Sequence, residues 1–212
     1  MYYSQYEEDK YLNENYFHNK TNGIYIELGA LNGVLYSNTK FFQDQLNWSG
    51  ILIEPHPYAF DILIQTRPKN YLFKELVSCH TEPLEYRYFL NNLAAVSGIE
   101  TTLSQFHYDE YYNNKKHKDL LQDTISILPK SLTNIVKRTP IKHIDLLSLD
   151  VEGHEYEVLQ SWDFSIPIDV ILIEMLGVEP DKEELCRKLL MNNGYKYDTK
   201  FAYNEIFILD QK

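Results

Sequence analysis

The chain has 212 residues, 44% of them hydrophobic and 24% charged, which excludes the disordered, collagen-like and disulfide-scaffold classes. Twenty basic residues against 31 acidic ones leave a formal charge of −11, a field that repels phosphate backbones and argues against nucleic acid as a partner. Two cysteines without metal or redox spacing, an acidic amino terminus and the lack of an apolar run of about 18 residues lead to the expectation of one cytoplasmic domain, 1–212, with no membrane insertion.

In chain order, residues 1–22 form an expected helical lead-in, followed by a short β-branched run, Ile24-Tyr25-Ile26-Glu27. A helix is expected over Ser37–Leu46, a strand over Ile51–Glu54 and a helix over Tyr58–Thr66. The stretch 89–142 then breaks the alternation. It is long, polar and Tyr-rich, with a helix expected at Lys130–Lys137, and its length suits a segment that covers the substrate. Its basic run, Lys115, Lys116, His117 and Lys118, reads as a solvated loop face.

The alternation resumes with strands at Ile144–Asp150 and Val170–Glu174 and helices at Glu155–Trp162 and Lys182–Asn192, the second closed by Asn193-Gly194. Tyr195–Thr199 and Ile206–Leu209 close the chain as an antiparallel pair. Nearly continuous apolar runs mark strands buried on both faces of a parallel sheet, and the βαβα order marks a doubly wound α/β fold. Ligands of such folds bind at the carboxyl ends of the strands. Glu27, Glu54, Asp150 and Glu174 all fall there; each alone serves equally as a helix cap, but four on one rim favour a site.

Gly29 and Gly33 follow the first strand, where the backbone must turn sharply and approach a ligand closely. Glu54, at the next strand end, is placed to accept both hydroxyls of a ribose, so the cofactor contains adenosine. A dinucleotide needs a glycine where Leu31 stands, and Glu27 would repel a pyrophosphate. Glu27 suits a cation carrying an ammonium and a sulfonium, which is S-adenosylmethionine; a glycine turn with incidental acids remains the alternative.

These blocks, in this order, resemble the FkbM family of class I S-adenosylmethionine-dependent methyltransferases. The resemblance runs through Ser4-Gln5 with Asp9, GIYIELGALNG (Gly23–Gly33), SNT (Ser37–Thr39), WSGILIEPHPYAF (Trp48–Phe60), LVSC (Leu76–Cys79), SGI (Ser97–Ile99), IDLLSLDVEGHEYEVLQSWDF (Ile144–Phe164) and VILIEMLG (Val170–Gly177). It implies a Rossmann-like, mostly parallel seven-stranded sheet with an antiparallel last strand and methyl transfer to an oxygen. It also implies cofactor contacts at Glu27, Gly29, Ala30, Gly33, Asn38, Glu54, Ser78 and Asp150, with Gln5 close by. The family's acceptors include glycan sugars and small metabolites, so the expected partner is such an acceptor.

An alcohol acceptor needs a base as its proton leaves. Within the DVEGHE block, Asp150 or Glu152 is expected to orient or deprotonate it, with His154 as the competing base; His154 reads equally as a helix-start residue facing water, and Glu155 as a first-turn acid favoured by the helix dipole. Asp150, Glu152 and Glu174 can also hold one Mg²⁺ ion. Two other functions stay open: a non-catalytic cofactor-binding module in glycan assembly, and a nicotinamide-dependent oxidoreductase. Tyr108, Tyr111 and Tyr112 either stack on a sugar ring or pack their own loop.

Overall fold

The computed structural model describes residues 1–90, 94–117, 120 and 122–210, so Lys118 of the basic run lies outside the described residues. The chain begins with α1 (Glu8–Leu12), continued by one wider π-type turn over Asn13–Phe17, then β1 (Ile24–Leu28), α2 (Lys40–Leu46), β2 (Ser49–Ile53), α3 (Pro57–Thr66) and β3 (Tyr71–Phe73). Next come β4 (Leu84–Phe89), β5 (Gly98–Ile99), α4 (Gln105–His107), β6 (Gln122–Ile127) and α5 (Leu132–Val136). The last part comprises β7 (Ile144–Leu149), α6 (Glu155–Gln160), β8 (Ile168–Glu174), α7 (Pro180–Asn192), β9 (Tyr195–Phe201) and β10 (Asn204–Leu209).

Seven strands form the main sheet in the order β3-β2-β1-β7-β8-β10-β9, with β10 antiparallel to both neighbours and the other pairs parallel. The fold is therefore Rossmann-like, with the expected antiparallel strand. Strand alternation sends Ile26, Leu28, Leu147 and Ile171 to one face, against Leu132 and Ile135 of α5, Val158 of α6 and Leu190 of α7. Tyr25, Leu52, Leu146 and Leu172 point to the other, against Leu12, Phe42 and Leu63 of the first three helices. All six residues of β7 are buried, which is why its apolar residues do not alternate with exposed polar ones. The order reverses between β1 and β7, so a crevice opens at their carboxyl ends.

Two local differences from the sequence reading have physical causes. Helix α2 starts at Lys40 instead of Ser37, because Ser37, Asn38 and Thr39 give their hydrogen bonds to Glu27. The long polar stretch 89–142 supplies two strands of a second, antiparallel sheet, β5-β4-β6, whose central strand β4 precedes it. Its strands pair across a wide sequence gap, and their apolar partners sit partly outside it: Tyr86, Tyr88 and Ile99 pack on Leu76, with Ile125 and Ile127 at the edge.

Candidate active site

The crevice is a cavity of about 550 Å³, within the range of small-molecule sites. Of the residues singled out in the sequence, Gln5, Glu27, Gly29, Asn38, Glu54, Asp150, Glu152, His154 and Glu174 line it. Ala30, Gly33 and Ser78 are not among its lining residues.

Glu27 is held by three donors on the segment before α2: the hydroxyls of Ser37 (2.9 Å) and Thr39 (2.6 Å) and the backbone N–H of Asn38 (2.8 Å). Arg67 lies 3.8 Å away and is fully buried. Its guanidinium donates to Gln43 Oε1, the Gly33 carbonyl, Ser37 Oγ, Tyr25 OH and Thr39 Oγ1, which uses its whole donor set. No motif flags this arginine. Asn38 turns its side-chain amide to Ser148 Oγ (3.0 Å), tying the same segment to β7.

The turn after β1 fits only glycine at two points. Gly29 has φ +76°, and a Cβ there would meet the Asp150 carbonyl oxygen at 1.9 Å; Gly33 has φ +77°, and its Cβ would strike Leu63 and Arg67 at 2.6 Å. Gly29 thus lets the turn touch the end of β7, while Gly33 lets it lie on α3. Ala30 is buried and donates its N–H to Ile53. Glu54 accepts the Leu31 N–H on one oxygen and the His56 N–H on the other, both at 2.7 Å. Burial outweighs those two bonds and pushes its carboxyl up to about 7.

Asp150, Glu152 and Glu174 each offer an oxygen within 4.8 Å of the others. Burial first, then the charges of Glu152 and Glu155, push Asp150 well above the usual carboxylate range. Burial followed by Asp150 and Glu152 does the same to Glu174. Like charges this close are relieved by a proton shared between Asp150 and Glu174 or by a bound cation.

The other members of the DVEGHE block serve the loop. Glu155 turns back to accept the N–H groups of Val151 (3.0 Å) and Gly153 (3.2 Å), and burial raises its carboxyl to about 7. His154 does not face water: it is buried, with Nε2 on Ser78 Oγ (3.0 Å) and Nδ1 on Thr102 Oγ1 (3.1 Å). Burial, then Lys182 and His80, lower its pKa to about 3, so the ring is neutral at physiological pH.

The second sheet and the turns after it supply one wall of the cavity through Tyr86, Ser97, Ile99, Phe106, His107 and Tyr111. His107 is buried with Nε2 on Glu152 Oε2 and Nδ1 on Ser104 Oγ. The tyrosine cluster divides: Tyr111 lines the cavity, while Tyr112 is buried against Phe89 and Tyr108 packs on Tyr112. Tyr6, Tyr36, Phe106 and Tyr203, each nearly half exposed, rim the mouth. Tyr6 and Gln5 are brought there by a turn closed on Asp9, whose carboxylate accepts the Tyr3 N–H and the Ser4 hydroxyl, both at 2.7 Å. Neither His107 nor the rim carries a sequence signal, because both depend on how distant loops meet.

A family model described as the methyltransferase FkbM domain matches residues 27–197. No curated protein matches the chain. Among solved structures, the fibrillarin of Aeropyrum pernix, crystallised with natively bound S-adenosyl-L-methionine, is 13% identical with a TM-score of 0.45, covering 90% of this chain and 66% of its own. Precorrin-6y C5,15-methyltransferase of Geobacter metallireducens GS-15 is 10% identical with a TM-score of 0.43, covering 91% and 82%. A methyltransferase of Pyrococcus furiosus is 12% identical with a TM-score of 0.43, covering 95% and 81%. The chain spans just under two thirds of the fibrillarin, and likenesses this remote transfer no function. The family model covers most of the chain and includes Glu27, Gly29, Glu54, Asp150 and Glu174, so the chain belongs to the FkbM methyltransferase family, whose cofactor is S-adenosylmethionine.

Proposed function

We propose that the protein is an O-methyltransferase that moves the methyl group of S-adenosylmethionine to a hydroxyl of a sugar, a glycan or another small metabolite. The observation that carries this reading is one cavity at the switch point with Glu54 at the β2 end, Asp150, Glu152 and Glu174 at the β7 and β8 ends, and Gly29 between them against Asp150. Its described lining includes six carboxylates, Glu27, Glu54, Glu75, Asp150, Glu152 and Glu174, and no lysine or arginine. That donor set suits a ligand with a sulfonium and an ammonium. Each Glu54 oxygen has one backbone donor, which leaves it a further lone pair for one of two neighbouring ribose hydroxyls.

When bound, S-adenosylmethionine supplies a methyl group on a leaving group that needs no protonation. The chain's task is to place the acceptor oxygen in line at about 3 Å and to take its proton. We assign the proton to Asp150 or Glu152; a carboxylate with a raised pKa is a stronger base near neutrality than an ordinary one. His154, neutral and hydrogen-bonded through both nitrogens, holds Ser78 and Thr102 together in this reading. Tyr6, Tyr36, Phe106, Tyr111 and Tyr203 give a sugar ring faces to stack on, which makes the segment after β4 the substrate cover. Two unpaired cysteines, Cys79 and Cys186, accord with a cytoplasmic reaction.

The test is incubation with methyl-labelled S-adenosylmethionine and a panel of free sugars, methyl glycosides and oligosaccharides, followed by separation of the products. Label on an acceptor oxygen, with stoichiometric S-adenosylhomocysteine, is the expected result. Label on nitrogen or carbon overturns O-methylation. No transfer to any of a broad panel, with the cofactor bound, favours the non-catalytic module.

A further inference from the structure

We infer that His107, carried by the cover and not by the main sheet, is the positioning residue that holds Glu152 at the acceptor end of the cavity. The inference rests on the methyltransferase reading and names the part of the chain that completes its site. Glu152 follows β7 with φ +56°, a left-handed conformation that residues with a side chain keep only when their surroundings hold them there.

Glu155 and Lys182 hold the neighbouring backbone, at the Val151 and Gly153 N–H groups and the Gly153 carbonyl, and the contacts to the Glu152 side chain and the two residues after it come from residues 98–107. His107 Nε2 donates to Glu152 Oε2, Thr102 Oγ1 meets His154 Nδ1 at 3.1 Å, and a Cβ on Gly153 would stand 2.7 Å from the Thr102 carbonyl oxygen. A Cβ on Gly98 would lie 3.3 Å from Glu152 Cβ. Three consecutive residues of the β7 loop are thus clamped by one segment of the cover.

His107 is itself fixed. Ser104 Oγ accepts the His107 backbone N–H at 3.2 Å and lies 2.9 Å from Nδ1, and both residues are buried. A carboxylate only accepts, so for the neutral ring Nε2 carries the hydrogen and Nδ1 takes one from the Ser104 hydroxyl. Orientation then passes from Ser104 through His107 to Glu152, while Glu27 and Glu54 at the cofactor end depend on none of these residues. Displacing the cover leaves a cofactor pocket with an unaimed Glu152. A carboxylate free to rotate loses the alignment on which proton acceptance depends.

Two measurements test this. In the unliganded protein with ¹⁵N-labelled histidine, the imidazole signal that His107→Ala removes is expected to be the Nε2–H form with slow proton exchange, and Glu152→Ala is expected to abolish that slow exchange. An Nδ1–H form, or exchange unaffected by Glu152→Ala, overturns the inference. Then, with the panel acceptor that the wild type methylates fastest, His107→Ala should lower kcat about 100-fold with KM and cofactor affinity within about threefold. His107→Gln, whose amide can still donate to Glu152, should restore at least about tenfold of that loss. Unchanged kcat in His107→Ala, or equal loss in both variants with a collapsed melting temperature, overturns it. If the wild type fails to bind S-adenosylmethionine, the methyltransferase reading fails while the imidazole result still judges the pairing.

Discussion

The two acidic ends of the cavity answer the same electrostatic problem differently. At the β1 end, Glu27 is buried with three neutral donors and the guanidinium of Arg67 beside it. At the β7 and β8 ends, Asp150 and Glu174 are half-buried among other carboxylates, with no cation beside them among the described residues, and their pKa values rise accordingly. The first arrangement fixes the turn that carries Gly29; the second stores unfavourable charge where an acceptor and a sulfonium would meet. Burial of a carboxylate therefore does not by itself mark a catalytic group: the company it keeps decides.

Breaking the first end should cost most. Arg67→Met leaves Glu27 without its guanidinium and several acceptors without a donor, so urea unfolding should show a loss of about 3–5 kcal/mol. A loss below about 1 kcal/mol would mean that Arg67 does not anchor the turn. At the second end the signs reverse. Asp150→Asn removes charge from a crowded site and should hold or raise the melting temperature, yet lower kcat by roughly 10²–10⁴-fold. Near-wild-type turnover with normal cofactor binding would take Asp150 out of the chemistry.

The pH dependence sharpens the comparison. Glu54 and Glu155 titrate at about 7 against an ordinary 4.5, and Asp150 and Glu174 are raised as well. In this range the folded state holds more protons than the unfolded one, so the stabilisation is complete below about pH 4.5 and fades as pH rises through about 7. His154, lowered to about 3, acts oppositely, losing stability as pH falls below its ordinary 6.5. Four carboxyls outweigh one imidazole: the melting temperature should fall between pH 5.5 and 7.5, by the equivalent of about 1–3 kcal/mol for each carboxyl at most. Glu54→Gln should flatten the slope, and a melting temperature rising over that interval would contradict the assignment.

The smallest expected effect concerns Asp150, Glu152 and Glu174 as a cation site. A proton shared between Asp150 and Glu174 satisfies the pair without metal, so EDTA should change turnover less than about twofold. Loss of activity restored by Mg²⁺ would instead place an ion on the three carboxylates.

The sheet was legible because burial on both faces forces continuous apolar runs such as Ile24–Leu28 and Ile144–Leu149, and because strand ends carry ligand-facing residues. The rim of Glu27, Glu54, Asp150 and Glu174 followed from that rule. Gly29 and Gly33 were legible as a pair but not in their separate contacts, one with β7 and the other with α3. Ser78 reads as a site residue from its place after the third strand and His154 from its distinctive block, yet each bonds the other. Arg67, His107 and the aromatic rim were not legible at all. Each acts through partners far away in the chain, and no periodicity encodes the meeting of the arginine that follows α3 with Glu27 or of a histidine from the cover with Glu152.

Thermal unfolding with S-adenosylmethionine, S-adenosylhomocysteine and NAD, each near one hundred times its dissociation constant, tests the central claim most directly. Binding at that ratio adds about 2.7 kcal/mol, a rise of roughly 5–10 °C for a chain of this size. The account predicts that rise with both S-adenosyl compounds, its reduction in Glu54→Gln, and none with NAD. A shift with NAD alone, or no shift with any of the three, would contradict it.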